Sequence, residues 1–544
     1  MTSLDFIFEK VGLLHPGPGG AIAIVKDGVP LAQRAWGYAD LNQRIPMTRE
    51  TMFPLCSITK QMVCAVLQTL RDNPPQNMPL QECVHDQLEA NLQTLLTRRF
   101  CEENKLSIQL LCDNRSGIRD YWATNTLLGA RPDDRFSLGD DARAMIYRAR
   151  SLQFRPGTEF SYSNTNFHIL ARVVEMTSFE SLSKLLRERV FVPAGMTTAV
   201  LCPSTEHQPG PCVGYEGGLK EGYFPARNRI EWSGDAGVVA SLKDMVAYEV
   251  HLQRIMQDPK SWYHKNSKQG TFSDRNKSFY SNGLFFDELD GAALIGHGGA
   301  LRGYRISRNH MPSQNLSVVV MLNYEADADS ISKLVLREVL AILKVPTPLP
   351  ATISPWYVEV ADEWTGNFLD LDTLLSIRTK ITGDKTVSIL YSGETEVIKL
   401  YESRKGFSQD MRAEIDGDVL RIHRLKDNRT LEGIRLHPSQ TSRQDRTIPG
   451  NYDCAELQSR FTCFGQGEVL YGAFDGPLGR GPASPMTYLG SNVWILACPR
   501  GQDADPPGDW TLVFDRADDQ MGISGVTIGC WLSRKFGYIK WGFA

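Results

Sequence analysis

Residues 53–67 read FPLCSITKQMVCAVL, and the rest of the chain is best understood from this stretch. Ile58, Met62, Val63, Val66, Leu67 and Leu70 recur at steps of three and four, which predicts a helix from about Ser57 with one apolar face. Ser57 and Lys60 stand three positions apart on one side of it, so the amine can reach the hydroxyl it would deprotonate. The same spacing recurs at Ser181/Lys184 and Ser330/Lys333, where polar helix faces make solvated side chains the simpler reading. Ser57 differs in opening its helix, where backbone N–H groups and the helix dipole favour developing negative charge. A plain N-cap would also place a serine there.

Around this helix the chain alternates strand and helix patterns. AIAIVK, a Lys26-Asp27-Gly28 turn and VPLAQRAWGYAD read as a hairpin. NLSVVVMLNY is a continuous apolar run that suits a central strand buried on both faces, and Ile331 to Leu343 form the last helical stripe. The first domain is therefore placed at residues 1–344, and the proline-rich VPTPLPATISP at 345–355 reads as a stiff linker. Short alternating runs follow, and WTGNF at 364–368 is echoed by IPGNY at 448–452. Two all-β units, 356–446 and 447–544, are expected, each closing about eight strands into a small antiparallel barrel that leaves no exposed edge.

The 544 residues carry a net charge of -4 with 42% hydrophobic content, which argues against a nucleic-acid or anionic-membrane surface, since these need clustered positive charge. The N-terminus MTSLDFIFEKVGLLHPGPGG has no apolar run of signal-peptide or membrane-span length, so a cytoplasmic location is expected. The 11 cysteines are odd in number and scattered, which suits reduced thiols. No CxxC, HxxxH or HExxH spacing occurs, so no metal is expected.

Two further clusters carry chemistry. Tyr162-Ser163-Asn164 stands between RPGTEF and the helical pattern TNFHILARVVE. A tyrosine beside a lysine ammonium can have its pKa lowered, so that its phenolate moves the nucleophile's proton, and the Asn164 amide can hold both the lysine and a substrate carbonyl. Tyr280-Ser281-Asn282 repeats the three letters at a strand entrance without the loop-to-helix context. His297-Gly298-Gly299-Ala300 forms the third cluster, and its two glycines mark close approach of backbone to a substrate or a packed helix. If the N–H groups of Ser57 and Ala300 both point at the scissile carbonyl oxygen, they form an oxyanion hole, each donor being worth about 3 kcal/mol in the transition state.

In this order and at these separations the three clusters resemble the SxxK, YxN and K/H-[TG]-G motifs of the serine β-lactamase and penicillin-binding superfamily. FPLCSITKQMVCAVL, PGTEFSYSNTNFHILA, RNRIEWSGDAGVVASL and HGGALRGYR, with YGAFDGPLG and GCWL near the C-terminus, are similar to its D-aminopeptidase branch. The resemblance implies an α+β catalytic domain, an antiparallel sheet flanked by helices, followed by two antiparallel barrels. It implies Ser57 as nucleophile, Lys60 and Tyr162 as proton-transfer partners and His297 as the fourth catalytic residue, with Asn164, Gly298, Gly299 and Ala300 binding substrate. No cofactor is implied. The expected ligand is a small peptide or amino-acyl amide from which an N-terminal D-residue, D-alanine above all, is removed; a homodimer is left open. In that branch a loop of the last barrel helps to read the substrate's amine through an acidic residue. Here the aligned position is Pro482, so Asp475, the only carboxylate in FDGPLGRGPASPM, is the expected substrate contact from this loop, and Arg480 adds positive charge. Two other readings follow: an esterase or β-lactamase-like amidase indifferent to the amine, and a sensor that binds or is acylated without turnover.

Overall fold

The computed structural model describes residues 3–75, 81–345, 358–391, 393–439, 443, 445–466, 469–498, 500–504, 508–517 and 522–542. The linker expected at 345–355 falls outside them from residue 346 onward.

The first unit is built on an eight-stranded sheet whose N-terminal hairpin is completed by late strands. Gly19–Lys26 pairs on one side with Val29–Asp40 and on the other with Leu316–Leu322, and the sheet continues through Tyr304–Met311, Ala292–Leu301 and Leu284–Leu289. Asp27 and Gly28 both adopt positive φ, as a type I′ hairpin turn requires. Every residue of Leu316–Leu322 is buried, as its unbroken apolar run predicts.

Alternation along the central strands sorts their side chains between two cores. Ile22, Ile24, Val318 and Val320 meet the terminal helices Ser3–Leu14 and Ala328–Ile342 on one face. Ala21, Ala23, Val319 and Met321 belong to a larger core shared with the helices Thr59–Asp72 and Asn164–Ser178 on the other. The catalytic motifs lie on that second side.

Both C-terminal units are closed antiparallel barrels. Eight strands from Gly366–Asp370 to Arg429–Arg435 form the first. In the second, pairing of Ser459–Gln466 with Val469–Gly476 closes an eight-strand ring, and the short strand Gly479–Arg480 is added outside it. The first barrel has its own core around Trp364, Phe368 and Ile422, whereas Tyr452, Trp494, Trp510 and Tyr538 of the second join the core of the catalytic unit. Glu159 fastens the joint: its carboxylate accepts from Arg429 of the first barrel and, at 3.1 Å, from Arg534 of the second. That joint lies three residues before Tyr162, so both barrels bear on the motif loop.

Candidate active site

Ser57 does not open the long helix itself. It occupies a short 3-10 turn, Cys56–Ile58, and the α-helix begins at Thr59. The cause is Cys56, whose φ of 51° turns the chain sharply before the helix direction is set. Gly299 permits the approach of this turn to the sheet, since a Cβ there would lie 2.3 Å from the carbonyl oxygen of Leu55. Gly299 thus serves backbone packing first, and that packing sets Ser57 beside Gly298, Gly299 and Ala300 on the wall of one cleft.

Lys60, fully buried, donates to Ser57 Oγ at 2.9 Å, to Asn164 Oδ1 at 2.7 Å and to the carbonyl oxygen of Asp235 at 2.6 Å. An ammonium uses all three hydrogens in this arrangement. A neutral amine keeps the two bonds to Asn164 and Asp235 and turns its lone pair to the Ser57 hydroxyl, which is the state a general base needs. Burial lowers the Lys60 pKa from 10.5 to about 8, against the opposing pull of Asp235, Asp120 and Asp503.

Tyr162 shares a hydrogen bond with Ser57, and the Lys60 ammonium lies 4.9 Å from the centre of its ring. The expectation of a lowered tyrosine pKa is corrected here. Burial raises it well above 10.0, so the phenol keeps its proton, and Lys60 rather than Tyr162 is the group that can be neutral and basic near physiological pH.

His297 stands across the cleft with its ring 6.1 Å from that of Tyr162. Its Nδ1–H donates to the carbonyl oxygen of Gly298, so Nε2 is left to accept from the Tyr280 hydroxyl at 3.2 Å. Desolvation lowers its pKa to about 3, with Lys60 pushing the same way. The imidazole is therefore neutral and both nitrogens are engaged, which suits shaping the wall better than carrying protons. Tyr280, set aside on sequence for lacking a helix behind it, belongs to the site as this histidine's partner.

Asn164 is itself held. Its main-chain N–H and its side-chain Nδ2 both donate to Asp120 Oδ1, at 2.6 and 2.9 Å, while Asp120 Oδ2 caps the helix Tyr121–Leu127. The last barrel grips the same loop through Asp120 N–H to Leu532 O at 3.0 Å and Thr124 Oγ1 to Ser533 Oγ at 2.8 Å. The two other serine–lysine pairs are surface features: Ser181 caps its helix beside an exposed Lys184–Glu180 ion pair, and Lys333 is bound to Asp287 and Asp329.

The cleft measures about 770 Å³ and takes walls from all three units. Glu394, Lys426 and Asp427 come from the first barrel, and Asp503, Trp531 and Leu532 from the last. Seven carboxylates and three cationic side chains line it; Asp427 is paired with Arg424, Asp329 with Lys333, and Glu325 with Arg305 and Arg500. Asp475 is corrected as a substrate contact. It does not line the cleft but pairs in register with Arg480, and the turn beyond it packs Gly476 onto Leu128 and Gly479 near Gly129. The last barrel does reach the cleft, through residues 501–504 and the Trp531–Leu532 tip instead.

Among the described residues no helix is long and apolar enough to cross a membrane. A family model described as beta-lactamase matches residues 15–340, and one described as D-aminopeptidase, domain B, matches residues 357–539. The D-aminopeptidase of Brucella canis is 38% identical over 538 residues, covering 99% of this chain and 98% of its own. That of Brucella anthropi is 37% identical with the same coverage. Among solved structures, the D-amino acid amidase from Ochrobactrum anthropi SV3 complexed with D-phenylalanine superposes with a TM-score of 0.50 at 17% identity, covering 63% of this chain and 100% of that one, a likeness of fold.

Proposed function

The chain belongs to the D-aminopeptidase family, and from that premise we propose that it removes N-terminal D-residues, D-alanine preferred, from short peptides, amides and esters through an acyl-enzyme on Ser57. The observation that carries this reading is the single serine oxygen shared by a buried lysine amine at 2.9 Å and a tyrosine hydroxyl, open to a cleft that Asp503 also lines.

The neutral Lys60 amine takes the Ser57 proton as Oγ attacks the substrate carbonyl. The N–H groups of Ser57 and Ala300 receive the oxyanion. The Tyr162 hydroxyl passes its proton to the departing nitrogen as the Lys60 ammonium restores it, and water then repeats the sequence on the ester. The Ser57 ester is the covalent intermediate; the leaving amine departs neutral.

Asp503 supplies the counter-charge for the substrate ammonium in this reading. It lines the cleft, and its charge is felt at Lys60 and Tyr162. The displacement of Asp475 from the cleft favours the rival reading of an amidase or esterase indifferent to the amine. Turnover of D-alanyl-p-nitroanilide against its N-acetyl and L-alanyl counterparts separates the two. Preference for the free D-alanyl compound is expected, and preference for the blocked compound would reject aminopeptidase activity.

A further inference from the structure

Two consecutive residues secure the two fixed acceptors of Lys60. Asp120 anchors Asn164, whose amide oxygen takes one hydrogen of the lysine. Tyr121 anchors Asp235, whose main-chain carbonyl takes another. The Tyr121 hydroxyl donates to Asp235 Oδ2 at 2.5 Å, and Ser233 N–H donates to Oδ1 at 3.0 Å. Asp235 is wholly buried, so its carboxylate has been taken out of water, a cost that stability alone does not require.

The turn that carries Asp235 is also fixed from behind. A Cβ at Gly234 would lie 2.8 Å from the carbonyl oxygen of Phe167, so the turn is pressed onto the Asn164–Ser178 helix. Asp235 faces Lys60 with its carbonyl and turns its carboxylate to the phenol. A carboxylate in direct contact would hold the amine permanently protonated; one a residue's width away stabilises the ammonium less and leaves it able to lose its proton.

We propose that the Tyr121–Asp235 pair is a positioning device for the general base: the bond fixes the carbonyl that orients Lys60, and the shielded carboxylate sets how readily the amine gives up its proton. The inference rests on Lys60 acting as the base that activates Ser57. Other charged or titratable groups around the lysine are Asp120 from the cap of the Tyr121–Leu127 helix, Asp503 from the last barrel, Cys56 from its own turn, and Tyr162 and His297 across the site. Asp235 stands first among the charges that oppose the effect of burial on Lys60.

The test is the rate at which a fluorophosphonate labels Ser57 in the full-length protein as a function of pH, a reaction that needs the base but no aminoacyl recognition. Asp235→Asn keeps the shape and both hydrogen bonds, with Oδ1 accepting from Ser233 N–H and the amide donating to the Tyr121 oxygen. It should move the acid limb of labelling to lower pH by about half a unit or more, because a charge favouring the ammonium is gone. Tyr121→Phe keeps the charge and removes the bond, so its plateau should fall severalfold while the limb stays at or above the wild-type pH. A wild-type rate that does not rise with pH removes the base assignment itself. A normal wild-type limb that Asp235→Asn leaves in place overturns the inference. If Asp235→Asn does not fold, an unchanged plateau in Tyr121→Phe overturns it.

Discussion

The main-chain N–H of Asp120 donates to the carbonyl oxygen of Leu532 at 3.0 Å, which ties the tip of a strand pair in the last barrel to the residue that anchors Asn164. The barrel is thereby joined to Lys60 through one continuous set of hydrogen bonds: Leu532 to Asp120, Asp120 to Asn164, and Asn164 to Lys60. Asp120→Ala removes the acceptor for Asn164 N, Asn164 Nδ2 and Ala123 N together. A loss of about 2–4 kcal/mol in stability is expected, with kcat falling more than KM rises, measured by denaturant unfolding and steady-state kinetics.

Lys60 should be the enzyme group that sets the acid limb of turnover between pH 5 and 9. In the proposed mechanism Lys60 acts as a base when neutral, and its pKa is lowered to about 8, so kcat/KM should fall with decreasing pH below that value. His297, lowered to about 3, is neutral throughout and should add no second limb. The same shifts bear on stability with a definite sign. Unfolded chain binds more protons than folded protein wherever a folded pKa is depressed, so these groups favour folding more as pH rises. For Lys60 the window runs from about 8 to 10.5, and for His297 from about 3 to 6.5, measurable in the pH dependence of unfolding.

Asp503→Asn should lower kcat/KM for D-alanyl-p-nitroanilide by about tenfold or more, the worth of one charge-assisted contact, and leave the N-acetyl analogue unchanged or improved. Equal losses on both substrates would place Asp503 in the scaffold and not in amine recognition.

Tyr280→Phe removes the donor to His297 Nε2 from a buried pair. A stability loss of about 1 kcal/mol with a severalfold fall in kcat is expected, read by thermal unfolding and kinetics. An unaltered kcat would mean that the orientation of the imidazole has no bearing on turnover.

The motif stretches were readable because their chemistry is local: a helical step brings Ser57 and Lys60 together, and the loop-to-helix setting marks Tyr162 and Asn164. The hairpin, the central strand at Leu316–Leu322 and the two barrels were readable from period and turn residues for the same reason. What escaped is what long-range contacts decide. Tyr280 differs from Tyr162 only in what the sheet brings near it, and Asp120, Tyr121 and Asp235 have partners far along the chain, as in the Lys60–Asp235 contact between residues 175 apart. Asp475 and Asp503 are both carboxylates of the last barrel, and only the placement of Asp475 at the end of the strand Val469–Gly476, with Gly476 packed on Leu128, shows which one is carried away from the cleft. The tyrosine pKa was misjudged because proximity to the lysine is visible in the motifs and burial is not.

The central claim is that an acyl group from a D-aminoacyl substrate resides on Ser57. Intact-protein and peptide mass spectrometry of full-length protein, acid-quenched during turnover of a D-alanyl ester, tests it most directly. One alanyl group on the peptide containing Ser57, absent from Ser57→Ala along with turnover, is the result expected. An adduct on another residue, or normal turnover in Ser57→Ala, would contradict it.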